Sequence, residues 1–278
     1  MAIAARRKKN TGNIIFEIFM LVLSLIILIP LLMLLFNSFQ DSTAAARFSI
    51  SLPKKWHFEN YAYVFISGKL GRAMFNSLIY TVFGVFVCTI CAMLCAFIME
   101  RRPSRFTEGV YMYINVGMVA PLMVIPTLAF LKALHIYGSY TSVVLVFAGM
   151  YIPWSVFLFT SFMKNVPREL DEAAFIDGCK PLKLFFVVVM PLLKPIIATN
   201  IVFIAMNIWN DMMIPLYMVN SPEKTPVSLS VYQFYGSYFR DWNLVFADLV
   251  IASIPMIILY FYLQKYIISG LTVGAVKG

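Results

Sequence analysis

The sequence predicts an all-α integral membrane protein: six membrane-crossing helices, a short cytoplasmic helix between the fourth and fifth, and both termini in the cytoplasm. Three observations carry this. Hydrophobic residues make up 61% of the 278 and charged residues only 13%, with a mean hydropathy of +0.83; a soluble domain lies nearer half apolar and a quarter charged. The apolar residues gather into six runs of bilayer length. Basic residues cluster between alternate runs, the bias that holds a chain's orientation in a membrane.

The first run, Ile18–Phe36, makes about 28 Å of helix, longer than a signal-peptide core. Arg6, Arg7, Lys8 and Lys9 precede it, and no small-x-small cleavage site follows before Asn37, so it reads as a retained first helix. Five more runs follow at Asn76–Met99, Gly109–Leu131, Thr141–Met163, Pro195–Val219 and Leu244–Leu263. An even number of crossings puts both termini on one side. With that side inside, 14 of the 22 Lys and Arg fall on inner segments, which makes it the cytoplasm. The formal charge of +9 then belongs to cytoplasmic flanks and anionic headgroups. No basic stretch is interleaved with aromatics outside the membrane, and no nucleic-acid partner is expected.

Two outer segments are long enough to fold. Residues 37–75 contain Pro53, Trp56 and the run ENYAYVF from Glu59, an amphipathic element suited to the membrane surface. Residues 220–243 are polar but carry Tyr232, Phe234, Tyr235, Tyr238 and Phe239. These rings suit either an interface core or an aromatic belt at the headgroups. No Gly/Ser linker, repeat or low-complexity tract divides the chain, so residues 1–278 form one membrane domain.

Catalytic chemistry is not in sight. The run GKLGR at Gly68 lacks the spacing of a phosphate-binding loop. His57 and His135 have no metal-ligand spacing around them, and nothing resembles a nucleophile elbow or a carboxylate pair. Cys88, Cys91 and Cys95 suggest a metal at first. Yet Ser77, Thr81, Gly84, Cys88, Cys91 and Cys95 follow steps of three and four along the second span, a seam of small residues where helices approach closely. Cys179 stands apart in the cytoplasmic loop, and no disulfide is expected there.

The fifth span is unusual in its polarity. Asn200, Asn207 and Asp211 lie at i, i+7 and i+11 on one helical face, with Trp209 and Asn210 beside them. Such groups at membrane depth face a translocation path or make interhelical hydrogen bonds. Here the bonding candidates are Asp248, Asn115 or a partner subunit. Pro215 breaks the helix soon after, and Pro121, Pro126 and Pro153 interrupt the third and fourth spans.

The segment with the most definite local chemistry is the loop from Asn165 to Pro195. Pro167 suits a first helical turn, with Glu169, Asp171 and Glu172 near the positive end of the helix dipole. Ala173 and Ala174 keep one face shallow, Gly178 supplies a left-handed C-terminal cap, and Pro181 forbids continuation. A bare connector needs no such start and stop signals; a helix offered to a partner protein does.

Glu172-Ala173-Ala174, then Gly178, then Val188-x-Met190-Pro191 resembles the EAA loop of permeases in ATP-binding-cassette importers. Val188 and Met190 stand where the family has Ile and Leu, which keeps both side chains apolar. The stretches NSLIYTV, WNDMMIPLYMV and the tail GLTVGAVKG from Gly270 resemble the maltose-type permeases. The tail is similar to that of the shorter permease in a carbohydrate heterodimer. The resemblance implies a subunit that moves a carbohydrate, an oligosaccharide above all, across the bacterial cytoplasmic membrane. It implies a second, larger permease, two ATPase subunits that bind ATP and Mg in place of this chain, and an extracytoplasmic sugar-binding protein. Glu172, Ala173, Ala174, Gly178 and Pro191 would couple to an ATPase, Asn200, Asn207, Asn210 and Asp211 would line the path, and Tyr232, Tyr235 and Tyr238 would meet the binding protein. The rivals are the same importer with a polyol or glycerol phosphate as cargo, a self-contained secondary transporter, and a membrane-embedded enzyme. A phosphate cargo would favour basic residues within the spans, where none stands.

Overall fold

The computed structural model describes residues 11–234 and 241–275, with side chains over 15–234 and 241–265. Arg6, Arg7, Lys8, Lys9, Tyr235, Tyr238, Phe239 and Lys277 lie outside the described residues. All regular structure among those described is helical. Along the chain it runs α1 (Thr11–Ser38), α2 (Ser42–Ala45), α3 (Glu59–Ile66), α4 (Leu70–Arg101), α5 (Arg105–Val116), α6 (Val124–Ala133), α7 (Tyr140–Met163) and α8 (Glu169–Ile176). Then come α9 (Pro181–Lys183), a π-helical stretch Leu184–Val189, α10 (Met190–Leu192), α11 (Lys194–Asn210), α12 (Met213–Met218), α13 (Val227–Ser230) and α14 (Trp242–Ala275).

Within the described residues four helices are long and apolar enough to cross a bilayer: Ile15–Asn37, Leu70–Arg101, Tyr140–Met163 and Trp242–Lys265. A fifth is reached by joining Pro181–Leu192 to Lys194–Asn210, which meet at a bend of 81°. The third predicted span is not one helix but two, α5 and α6. Prolines account for these interruptions. A proline has no N–H to offer the carbonyl four residues back, and its ring collides with that carbonyl. Pro121 therefore opens the chain at Gly117, where the α5 turns tighten into bonds such as Gly117 N to Ile114 O at 2.9 Å. Pro215 opens it at Asp211, ending α11 at Asn210, earlier than the sequence argument places the break. Pro126 and Pro153 do not interrupt: Pro126 sits in the first turn of α6, where no N–H is needed, and α7 runs on through Pro153.

The chain divides into two compact units. The first holds residues up to Lys69 together with 231–251. Its α1 is apolar around its circumference and exposed from Ile15 to Leu32, as a helix facing lipid or a partner must be, while Asn37 and Ser38 at its end are buried. Beyond α1, buried amides stitch the segment together. Asn60 Nδ2 donates to the carbonyls of Ser38 and Gln40, both at 2.9 Å, and Asn60 Oδ1 accepts from Asn243 Nδ2 at 2.9 Å. The amphipathic helix expected at ENYAYVF is α3; it buries Asn60 and Val64 and exposes Tyr63, Phe65 and Ile66. Phe234 is buried over Gly68, where a Cβ would lie 2.5 Å from Phe234 Cζ, so it serves packing within this unit and is not an outward contact.

The second unit spans Leu70–Ser230 and Ala252 onward, and its core sits between α4, α7 and α11. At the Arg101 end, Ala92, Met93 and Ala96 of α4 pack with Val156, Phe159 and Met163 of α7 and with Leu184, Phe185, Val189 and Leu193. At the Leu70 end, Tyr80 and Cys88 meet Val143, Phe147, Ile204 and Ile208. The small-residue seam of α4 is buried from Ser77 through Cys88, but Cys91 is exposed and Cys95 half-buried. The buried face turns to Thr89, Ala92 and Ala96 there, because α4 changes packing partners along its length. Among the described residues no three of His, Cys, Asp and Glu come together as a metal site.

Gly84 lies against α11: a Cβ there would stand 2.5 Å from Ile208 Cδ1. Gly84→Leu is expected to destabilise the unit by about 1–3 kcal/mol through overpacking, read as a lower melting temperature of the purified protein. Serine at Cys88, Cys91 and Cys95 together should leave the melting temperature near that of wild type, since only Cys88 is buried in the seam and the other two are partly or fully exposed. Stoichiometric zinc in the purified protein, lost in the triple serine variant, would contradict that.

Candidate functional site

The first candidate element is α8. Its start follows from Arg168, whose carbonyl accepts from Asp171 N at 2.9 Å and Glu172 N at 3.2 Å; Pro167 stands just outside the helix and not in its first turn. Glu169, Asp171 and Glu172 occupy the first turn, where carboxylates meet the positive end of the dipole. The end is a two-bond cap. Cys179 N donates to Ala174 O at 2.9 Å and Gly178 N to Phe175 O at 3.0 Å, the pair that closes a helix on a left-handed residue. Gly178 has φ +72°, and nothing lies within 4 Å of where its Cβ would be. Backbone conformation alone thus demands glycine at this position.

The faces of α8 divide cleanly. Asp171 and Ala174 are buried, while Glu172, Ala173, Phe175 and Ile176 are exposed. Two large apolar side chains left uncovered beside a carboxylate make a surface suited to a partner. Beneath α8 lies an ion pair that sequence spacing did not suggest. Arg101, the last residue of α4, holds Asp171 with Nε to Oδ2 at 2.6 Å, and each side chain is only about a tenth exposed. The same guanidinium donates to Val166 O at 3.2 and 3.3 Å. Nearby, Arg168 donates to Glu100 O at 2.8 Å.

The chain after Gly178 is also more structured than a loop. Pro181 starts α9, and the helix continues through the π-helical stretch and α10 to Leu192. The π-helical register shows in Met190 N, which bonds to Phe185 O five residues back; the next residue, Pro191, has no N–H to offer Val187 O. Pro195 then enforces the bend at Leu193. Leu184, Phe185, Val189 and Leu193 face the core, a spacing of one, four and four that was visible in the sequence. Pro191 itself is exposed and lines, with Phe186, Met190, Lys194, Ile197 and Leu263, an apolar groove of about 460 Å³. Pro191 is thus carried on this bent helix and not on α8.

The second candidate element is a polar cavity of about 410 Å³ lined by Tyr151, Met206, Asn207, Asn210 and Asp211. The structure brings together three of the four residues expected on a path and leaves Asn200 out. Asn200 is fully buried and donates through Nδ2 to Thr89 Oγ1 of α4 at 3.2 Å, so it makes an interhelical hydrogen bond with a partner the sequence did not single out. Asn207 and Asn210 are anchored on their own helix, each Nδ2 donating at 2.7 Å, to Phe203 O and Met206 O. Asp211 is not on the helical face at all. It is extended (φ −70°, ψ 128°), its Oδ1 accepts from Ile214 N at 2.8 Å, and its carbonyl accepts from Ser228 Oγ at 2.7 Å. The carbonyl freed by Pro215 is thereby satisfied. Tyr151 reaches the cavity from α7, where its ring stacks near Phe147 at 6.3 Å.

Residues 220–230 close the same end of this unit. Asn76 Nδ2 donates to Glu223 O and Thr225 O, both at 2.9 Å, and Tyr80 Oη to Lys224 O at 2.9 Å. Val227 N donates to Ser77 Oγ at 2.8 Å and Lys224 Nζ to Gly138 O at 2.7 Å. In the other unit, Tyr232 is 55% exposed.

Helices long and apolar enough to cross a membrane make up much of the described chain, and in the second unit the capped helix α8 packs through Ala174 onto the cluster at the Arg101 end of α4. Residues 89–273 match the family described as binding-protein-dependent transport system inner membrane component, and the chain belongs to that family. It is 31% identical over 273 residues, 98% of this chain and 99% of the relative, to the probable starch degradation products transport system permease protein AmyC of Thermoanaerobacterium thermosulfurigenes. It is 30% identical over 272 residues, 96% of each chain, to the arabinooligosaccharides transport system permease protein AraQ of Bacillus subtilis. The multiple sugar-binding transport system permease protein MsmG of Streptococcus mutans is 32% identical over 259 residues, covering 91% of this chain and 93% of its own. In fold the chain is similar to one from a crystal structure of a bacterial ABC transporter involved in the import of the acidic polysaccharide alginate. That match has a TM-score of 0.82 and 21% identity over 96% of this chain and all of the other.

Proposed function

We propose that this chain is the shorter permease of an ATP-driven importer that moves a carbohydrate, an oligosaccharide above all, into the bacterial cytoplasm. The observation that carries the cargo is the end-to-end similarity to permeases named for starch degradation products, arabinooligosaccharides and multiple sugars. A phosphorylated cargo fits poorly, since no basic side chain lines the polar cavity. A self-contained transporter would leave the capped, half-apolar α8 without a purpose.

In this reading the helices make six crossings. The α5–α6 pair supplies the third and the chain from Lys194 to Val219 the fifth, which leaves α8 and both termini cytoplasmic. α8 seats in a cleft of one ATPase subunit, with Glu172 accepting charge-assisted hydrogen bonds from a basic side chain there. The ATPases hold ATP and Mg; this chain contributes no nucleotide site and no catalytic group. A larger permease completes the path, with Asn207, Asn210 and Asp211 on this chain's wall. Outside, Tyr232, with Tyr235 and Tyr238 in sequence beside it, faces the sugar-binding protein. Affinity purification of the chain from its own membranes tests the assignment. An ATPase and a larger permease should come with it in fixed ratio; purification as an active, self-sufficient transporter would overturn the reading.

A further inference from the structure

From the cavity geometry we infer that Tyr151, Asn207, Asn210 and Asp211 form a ring-binding subsite for a neutral, hydroxyl-rich sugar, one that offers an anionic sugar no counter-charge. The inference rests on the carbohydrate reading above and deepens it. The cavity, at about 410 Å³, lies within the range of small-molecule sites, which pair an apolar wall with a few well-placed polar groups. Tyr151 and Met206 are the apolar wall. The Tyr151 ring is steadied by Phe147 on its own helix, and an aromatic of this kind offers rigid amphipathic area to the C–H face of a sugar.

The polar groups are pre-oriented. A backbone carbonyl 2.7 Å from each amide fixes which atom of Asn207 and Asn210 is nitrogen, because an amide oxygen there would meet another acceptor. Each side chain therefore keeps one N–H and its Oδ1 for a ligand. Asp211 Oδ1 is engaged by Ile214 N, and a carboxylate has acceptor capacity beyond one bond. Alternating acceptors and donors of this kind match hydroxyl groups, which both donate and accept. A uronate offers only acceptors at its carboxylate, and none of the lining residues is Lys or Arg. An anion set beside the Asp211 carboxylate without a cation meets like charge. Tyr151 is the residue whose role the sequence did not reveal, since it sits among apolar neighbours ahead of Pro153.

The test uses the complete importer, with ATPases, larger permease and binding protein, reconstituted in lipid vesicles. Uptake is measured for maltotriose, arabinotriose, raffinose and trigalacturonate, and assembly by co-purification. Wild type should carry at least one neutral trisaccharide and not trigalacturonate. Tyr151→Leu and Asn207→Leu should each lower that uptake by about tenfold or more, the equivalent of one lost ring or polar contact. Tyr151→Phe, which keeps the ring, should stay within about threefold, and ATPase stimulation by loaded binding protein should persist in all three. Undiminished neutral uptake in both Leu variants, or trigalacturonate uptake matching that of the neutral sugar, overturns the subsite while the carbohydrate reading stands. Failure of both Leu variants to assemble assigns the residues to packing and also overturns it. A wild-type complex that carries none of the four sugars fails the carbohydrate reading itself.

Discussion

Removing one member of the Arg101–Asp171 pair is expected to disconnect the ATPases from transport. The two side chains meet at 2.6 Å with each about a tenth exposed. Deleting one leaves a desolvated charge without its counter-ion, a loss of about 3–5 kcal/mol. The pair joins α8 to the last residue of α4, and Arg101 also holds Val166 O at the turn before α8. At its far end α4 grips residues 223–227 through Asn76, Ser77 and Tyr80. The 32 residues of α4 make a rod of about 48 Å, with a joint at either end. Asp171→Ala and Arg101→Ala should therefore lower sugar uptake by an order of magnitude or more while the ATPase still hydrolyses ATP. The double variant Arg101→Met/Asp171→Leu replaces the pair with apolar side chains of similar size and should recover much of that uptake, because buried pairs exchanged whole are close to neutral. Reconstituted uptake and ATPase rates, measured side by side, decide this. Equal loss in the single and double variants would mean that charge, and not packing, is what the joint needs.

The parts of this molecule that were legible in the sequence are those decided by local chemistry. Long helices show because a backbone in lipid must satisfy its own hydrogen bonds, and α8 shows because Gly178 and Pro181 end it within five residues. The parts that were not legible depend on what a residue does to a neighbour out of sight. Asp211 shares a helical face with Asn207 only if the helix runs to Pro215, whereas a proline acts on the carbonyl four residues before it. Asp211 consequently reaches the cavity from an extended residue, beside Asn207 and Asn210 for a reason other than periodicity. Pro191 likewise has no N–H for Val187 O, and a π-helical stretch precedes it where the sequence predicts a loop. In sequence, Arg101 is one of the 14 basic residues on inner segments, and Asp171 a carboxylate near a helix N-terminus. Each reading is compatible with the ion pair, but 70 residues of chain separate the partners, and no spacing rule joins them. In the small-residue seam, a single helical period carried the argument past Cys88, where α4 in fact changes partners.

Gly178 and Glu172 carry the other large expected effect. Gly178 sits at φ +72° with open space around its missing side chain. A substitution there meets no steric neighbour and pays only for the left-handed backbone, about 1–2 kcal/mol for most residues. Asn tolerates that conformation better than β-branched residues do. The order of effect should accordingly be Gly178→Asn mildest, Gly178→Ala intermediate and Gly178→Val most severe, a ranking that side-chain volume in a crowded site would not produce for Asn over Ala. Because α8 lies outside the two apolar clusters except through Ala174, the chain should still fold and insert. What should change is the direction in which the chain leaves the α8 cap and, on the proposed docking of α8, its fit to the ATPase. Glu172→Ala acts differently. Its side chain is exposed and on the face opposite Asp171 and Ala174, so its loss should leave the melting temperature of the isolated chain unchanged. In the complex it should weaken ATPase docking by about 1.5–3 kcal/mol, the value of a hydrogen bond to a charged group. Binding of purified ATPase to the permease pair in nanodiscs, alongside sugar uptake, separates the two mechanisms. Gly178→Val is expected to impair both, and Glu172→Ala to lower ATPase affinity more than tenfold with uptake recovered at high ATPase concentration. Wild-type affinity and uptake in both variants would reduce α8 to a connector and remove it from the coupling path.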